Sequence, residues 1–203
     1  MIRLFCLLLT LICASAHAVT LDQLQQRFAS QPVIRANFEQ VRTISGMSQP
    51  LVSRGQLLIA QQQGLWWHQA TPFVMTLILD DKRMVQSMNG QPPQVITAES
   101  NPQMFQFNHL LRALFQADEK VLRENFELDF RDQGNDQWQL SLTPKAAPLN
   151  KIFNRIDLQG TAFLNRITLD DKQGDKTAIT LSDTRIEPKQ LTDEERARFA
   201  PAQ

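Results

Sequence analysis

The amino-acid sequence predicts an α+β fold: an antiparallel β-meander with helices laid over one apolar face. Three observations predict it. Apolar residues alternate with period two through short segments, and turn residues separate those segments, the pattern of half-buried antiparallel strands. Helical spacing is confined to residues 20–29, 101–115 and 192–199. The middle helical segment carries Phe105 and Leu110 beside its main stripe, more apolar surface than a helix resting on one sheet face needs.

Arg3, the apolar run Leu4 to Ile12 and the exit Ala16-His17-Ala18 read as a cleaved secretory signal over residues 1–18. The run is too short to cross a hydrocarbon core of ~30 Å. Residues 19–203 are expected to form one domain. Cys6 and Cys13 leave with the signal, so the exported chain has neither disulfide nor thiol chemistry. Lipidation of Cys13 is disfavoured because Ile12, not a small residue, precedes it. Lys+Arg and Asp+Glu both number 21 and are interspersed, which excludes the basic stripe that nucleic acid requires.

Thr20 and Gln23 form a capping box ahead of Leu21, Leu24 and Phe28, a short helix ended by Pro32. From Val33 the period becomes two, with Ile34, Ala36 and Phe38 on one face. Gly46 breaks this strand, and Gly55 to Ala60 reopens the sheet with Leu57 and Ile59 on one side. Leu65 to His68 is the third strand. Phe73 to Leu79 is the fourth, with Phe73, Met75, Leu77 and Leu79 sharing a face. After the turn Asp80-Asp81-Lys82, Met84 to Met88 and Val95 to Thr97 continue the meander. Asn101 and Pro102 start the middle helix, where Met104, Phe107, Leu111, Leu114 and Phe115 recur at helical spacing. Phe126–Phe130, Trp138–Leu142, Ile152–Leu158, Ala162–Leu169 and Thr177–Leu181 supply five more strands, and a peripheral helix, Thr192 to Phe199, opens on a second capping box.

The chemistry-bearing residues are few. His68 and His109 lack zinc-ligand spacing, so no metal site is expected. Asp80-Asp81 and Asp170-Asp171 read as turn residues, and no nucleophile elbow or phosphate loop accompanies them. The reading is a binder, not an enzyme, and no cofactor is expected. An apolar sheet face beneath an over-apolar helix describes a container with a closing flap. The pattern equally fits an ordinary core, since Met and Phe at helical spacing more often pack inside than touch a ligand.

Several motifs occur in one order: Phe38-Glu39-Gln40, Gly55-Gln56-Leu57-Leu58-Ile59, Trp67 before Pro72, Asp80 near Lys82, Leu142-Thr143-Pro144-Lys145, and Asp171-Lys172-Gln173-Gly174-Asp175-Lys176-Thr177. In that order they resemble the LolA-type periplasmic lipoprotein carriers. The resemblance implies a strongly curved, incomplete antiparallel β-barrel with helices covering the concave apolar face. It implies an apolar cavity that takes acyl chains of lipoproteins from an inner-membrane donor and passes them to an outer-membrane acceptor. It places Leu65 and Trp67 on a strand lining the hollow, with Leu57 and Ile59 beside them by pairing. Strand parity adds Met75, Leu77 and Leu79, and the flap residues are Phe107, Leu111 and Leu114. Carriers of this kind carry an Arg-Pro pair shortly before the tryptophan, the arginine holding the flap to backbone carbonyls; here Gln61 and Gln62 stand there.

Two functions follow. The first is a monomeric periplasmic carrier of a lipoprotein or another acylated amphiphile. The second is a lipid sensor or assembly factor on the same scaffold, which binds without delivering.

Overall fold

The computed structural model describes residues 19–97, 99–100, 113 and 118–200. The signal segment 1–18 lies outside them. Helix α1 (Leu21–Ala29) has the expected cap: the Thr20 hydroxyl accepts from Gln23 N–H while the Gln23 side chain accepts from Thr20 N–H. Six strands follow as a meander: β1 (Val33–Thr43), β2 (Leu51–Ala60), β3 (Gly64–Thr71), β4 (Met75–Leu79), β5 (Arg83–Met88) and β6 (Gln94–Thr97). Helix α2 (Glu119–Asn125) leads into β7 (Phe126–Gly134) and β8 (Gln137–Pro144). A single helical turn, α3 (Leu149–Ile152), then precedes β9 (Phe153–Gly160), β10 (Leu164–Asp171) and β11 (Lys176–Arg185), and α4 (Asp193–Arg198) closes the described chain.

All eleven strands lie in one antiparallel sheet, ordered β6-β5-β4-β3-β2-β1-β11-β10-β9-β8-β7. Two meanders are therefore joined by the β1–β11 pair, and the outermost strands β6 and β7 do not pair with each other. The sheet is not closed. It is nevertheless strongly curved, because Phe28 of α1 packs edge-on against Trp138 of β8 at 6.0 Å and also lines a cavity with Leu57 and Ile59 of β2. On a flat sheet five strand spacings would separate β2 from β8, about 24 Å at ~4.8 Å each, more than one phenylalanine can bridge. This is the incomplete barrel that the family resemblance implies.

Several elements differ from the sequence reading. β2 begins at Leu51, well before Gly55. Strand β4 starts at Met75, so Phe73 and Val74 are turn residues, and Phe73 is 55% exposed instead of facing the core. Ile152 ends a helical turn and is exposed, so β9 begins one residue later. Helix α2 falls where the sequence shows no periodic segment; it is capped by the Asp118 side chain on Val121 N–H and buries Leu122.

The sheet has an apolar layer on each face. The larger cluster, on the concave side, joins α1 and α2 to Phe38, Leu57, Leu79, Trp138, Leu140, Leu158 and Ile179. A smaller one on the convex side contains Val33, Leu58, Ala60, Trp66, Ile78 and Val85, covered by Phe199. The segment ending in α4 is thus a docked strap and not a peripheral helix. Arg35, buried on the outer face of β1, grips Glu195 with two bonds of 2.5 and 2.7 Å and donates also to the Pro188 and Gln190 carbonyls. The Arg198 guanidinium lies 4.7 Å over the Trp66 ring.

Candidate functional site

The concave face of the first meander is assembled by strand parity. Register pairs Leu57 with Trp67, Ile59 with Leu65, Leu65 with Leu79, Trp67 with Leu77, and Gln69 with Met75. Partners in an antiparallel pair project to one side, so Leu57, Ile59, Leu65, Trp67, Met75, Leu77 and Leu79 share this face. The sequence-predicted flap residues Phe107, Leu111 and Leu114 lie outside the described residues. Ala113, between the last two, is described: it is buried in the same apolar cluster, and its carbonyl accepts from Asp118 N–H at 3.0 Å.

Burial is graded along the face. Leu79, Leu57 and Leu65 are fully buried, whereas Trp67, Leu77 and Met75 are half-buried. Strand β5 extends the half-buried zone, placing Met84 opposite Leu79, Gln86 opposite Leu77 and Met88 opposite Met75. The Gln86 amide donates to Met75 Sδ at 3.7 Å. Phe38 completes the lining by stacking on Trp67, with ring centroids 3.7 Å apart and an interplanar angle of 27°. Its Cα partner is Gly55, where a Cβ would sit 1.9 Å from the His68 carbonyl oxygen. Only glycine allows β2 and β3 to approach so closely at this register shift. The sequence reading puts Phe38 on the apolar face of its strand but not in the lining, and Met84, Gln86 and Met88 join it here, as the period-two spacing of Met84 to Met88 allows.

This lining consists of hydrocarbon, aromatic rings and thioethers with two amides, Gln69 and Gln86. Gln69 is itself occupied, donating to the Phe73 carbonyl at 3.0 Å. Such a surface can take up hydrocarbon, and unbranched methionines let it fit chains of varied shape. Across β1 the concave space narrows: between α1 and β1–β2 a cavity of about 20 Å³, lined by Phe28, Ile34, Leu57, Ile59, Leu164 and Leu181, is of the size that one water fills.

A family model described as outer membrane lipoprotein carrier protein LolA-like matches residues 13–198. The chain belongs to this LolA-like family. Among solved structures, a LolA superfamily protein from Nitrosomonas europaea is similar over 87% of this chain and 97% of its own, at 13% identity and a TM-score of 0.45. A domain assigned to outer-membrane lipoprotein sorting from Vibrio parahaemolyticus is similar over 89% and 98%, at 12% identity and a TM-score of 0.46. Comparison by sequence with curated proteins finds no match. Membership supplies a carrier-type, lipoprotein-binding fold.

Within that family fold, Gln61 holds the position where the resemblance expects an arginine. Its amide donates to the Ala29 carbonyl at the end of α1, at 2.7 Å, so the β2–β3 turn is tied to a helix carbonyl by a neutral bond. Asp80, at the next turn on the same end, accepts from the N–H groups of Lys82 and Arg83 and from the Arg83 guanidinium. Burial pushes its carboxyl up, but these donors outweigh burial and hold it below the usual carboxylate range. Its role is to fix the turn. A wider cleft of about 570 Å³ lies between Gln61–Gln63 and the strap residues Lys189, Gln190, Leu191 and Arg196, apart from the concave apolar lining. No helix among the described residues is long and apolar enough to cross a membrane.

Proposed function

We propose that this LolA-like chain is exported to the periplasm, shields the acyl chains of a lipoprotein or another acylated amphiphile against its concave face, and hands them towards the outer membrane. The observation that carries the reading is the half-buried strip of Trp67, Leu77, Met75 and Met88 beside a fully packed core. Each methylene withdrawn from water is worth ~0.8 kcal/mol, so an acyl chain of about sixteen carbons gains on the order of 10 kcal/mol from such a cover. Crossing an aqueous gap requires that cover. Release requires that the same surface find another partner, and a flap carrying Phe107, Leu111 and Leu114 would compete with the cargo for it.

Native mass spectrometry of the chain isolated from periplasm without detergent tests this. A bound acylated mass supports the reading; no capture of a palmitoylated lipopeptide supplied in excess removes it. A second reading, a lipid sensor that binds without delivering, is favoured by the neutral Gln61 bond, since a charged clasp suits repeated opening and closing better. Transfer of a fluorescent lipopeptide from donor to acceptor vesicles separates the two, because a sensor captures it and does not pass it on.

A further inference from the structure

The large apolar side chains that the described residues expose are not scattered. Met47, Leu51 and Val52 sit in and beside the β1–β2 turn, and Phe73 and Val74 form the β3–β4 turn. In a meander every second turn falls at the same end, so these two turns and the β5–β6 turn at residues 89–93 make one rim. Of the other large exposed apolars, Ile152 lies at this end but beside Lys151 and Lys172, and Val95 lies along β6 away from it.

The three turns carry no formal charge of their own. Residues 43–53, 64–79 and 84–97 contain no Asp, Glu, Lys or Arg. The flanking Arg42 and Arg54 are committed to Asp175 and Glu39 at 2.9 and 2.7 Å. Backbone groups in the turns find partners within the rim: Met47 N–H donates to Ile44, Gln91 N–H to Met88, and the Phe73 carbonyl accepts from Gln69. A surface of this kind can enter an apolar medium without stranding a charge or many open peptide groups. Charge at this end is otherwise confined to the β9–β11 side, where Lys151, Lys172 and Lys176 and the carboxylates Asp171 and Asp175 lie, Asp175 accepting from Ser45 N–H of the β1–β2 turn at 2.9 Å; the β3–β4 and β5–β6 turns have none.

We propose that this uncharged rim docks on a lipid surface, with Phe73, Val74, Met47 and Leu51 entering the headgroup boundary of a membrane leaflet. The rim continues directly into the concave face, because Phe73 and Val74 precede Met75, whose partner across β5 is Met88. An acyl chain leaving the leaflet then meets Met75 first and Trp67 beyond it. The purpose of the docking rests on the carrier reading, but the docking itself does not.

The test is flotation of the whole chain with phosphatidylcholine vesicles, which carry no net charge. Co-flotation is expected, unchanged between about 0.1 and 0.5 M salt because no ion pairing drives it. The double variant Phe73→Asp/Val74→Asp lowers the bound fraction at least tenfold, while Val95→Asp leaves it as it was. Circular dichroism and a urea midpoint establish that both variants are folded. In Phe73→Trp the new indole shifts to the blue on adding vesicles and is quenched by brominated acyl chains. Failure of the wild type to float overturns the proposal. So does binding that needs anionic lipid and vanishes in salt, or a double variant that loses self-association in the ultracentrifuge and floats as before. Capture of a palmitoylated lipopeptide without vesicle binding overturns the rim and leaves the carrier reading standing; vesicle binding without capture does the reverse.

Discussion

Two tryptophans on the concave face show how differently its two meanders are used. Trp138, on β8, is 2% exposed, donates its indole N–H to the Thr161 carbonyl at 2.7 Å and meets Phe28 edge to face. Gly160 makes room for it, since a Cβ there would lie 2.5 Å from the ring. Around it Leu140, Leu142, Ile156 and Leu158 are all buried to 2% or less. Trp67, on β3, is half-buried and stacks on Phe38 among leucine and methionine. The first indole is a structural wedge with each of its groups satisfied; the second is a broad face held on one side only. A carrier needs both, one rigid wall that keeps the curve and one adaptable wall that can exchange partners.

Breaking the rigid side has the largest expected effect. Trp138→Ala leaves a cavity, while the Thr161 carbonyl keeps the Arg27 guanidinium as donor at 3.1 Å, and costs about 3–5 kcal/mol, read as a fall in the urea midpoint. A loss under about 1 kcal/mol would mean that this half is not the closed core described. The outer strap offers a second contrast, since it is held by charge where the concave walls are held by packing. Arg35 bonds directly to Glu195 and, against the opposing effect of burial, holds that carboxyl down at about 2. A depressed carboxylate stabilises the fold fully above its unfolded value near 4.5 and loses that contribution as pH falls towards 2. Arg35 and the Thr192 cap together make this carboxylate worth on the order of 3 kcal/mol at neutral pH, and unfolding curves from pH 7 to 3 should show a smaller loss in Glu195→Gln than in wild type, the remainder coming from other depressed carboxylates such as Asp80.

The adaptable side should respond in binding more than in stability. Trp67→Ala is expected to cost less than about 2 kcal/mol in urea, since the ring is only half-buried, yet to weaken capture of a palmitoylated lipopeptide at least tenfold. Equal losses in both measurements would erase the distinction between the walls. Gln61→Arg is the smallest change: a charged donor at the Ala29 carbonyl adds about 1 kcal/mol and slows lipopeptide exchange a fewfold by stopped-flow fluorescence. Unchanged exchange would show that the β2–β3 turn takes no part in opening.

Much of this contrast was legible in the sequence where periodicity carries it. Leu57 with Ile59, and Leu77 with Leu79, share a face because a strand's period is two, Leu65 and Trp67 join them through the family resemblance, and the Thr20 and Thr192 capping boxes announce themselves in four residues. What could not be read depends on contacts far apart in the chain. Arg35 falls by parity on the face opposite Ile34, Ala36 and Phe38, and nothing near it in the sequence marks its partner Glu195, 160 positions away. Phe73 was placed on the apolar face because parity continues through it, but Pro72 and the turn remove it from the sheet. Helix α2 has too few apolar residues to show a stripe, and it exists because Leu122 finds the core and Asp118 caps it.

The central claim is that hydrocarbon is held by the Trp67 wall and not by the Trp138 wall. Methyl NMR on the chain titrated with a palmitoylated lipopeptide tests it most directly. The methyls of Met75, Met88 and Leu77 should shift and saturate together, while those of Leu140, Leu142 and Leu158 stay within a linewidth of their starting positions. Shifts centred on Leu140 and Leu158, or none anywhere at saturating lipopeptide, would contradict it.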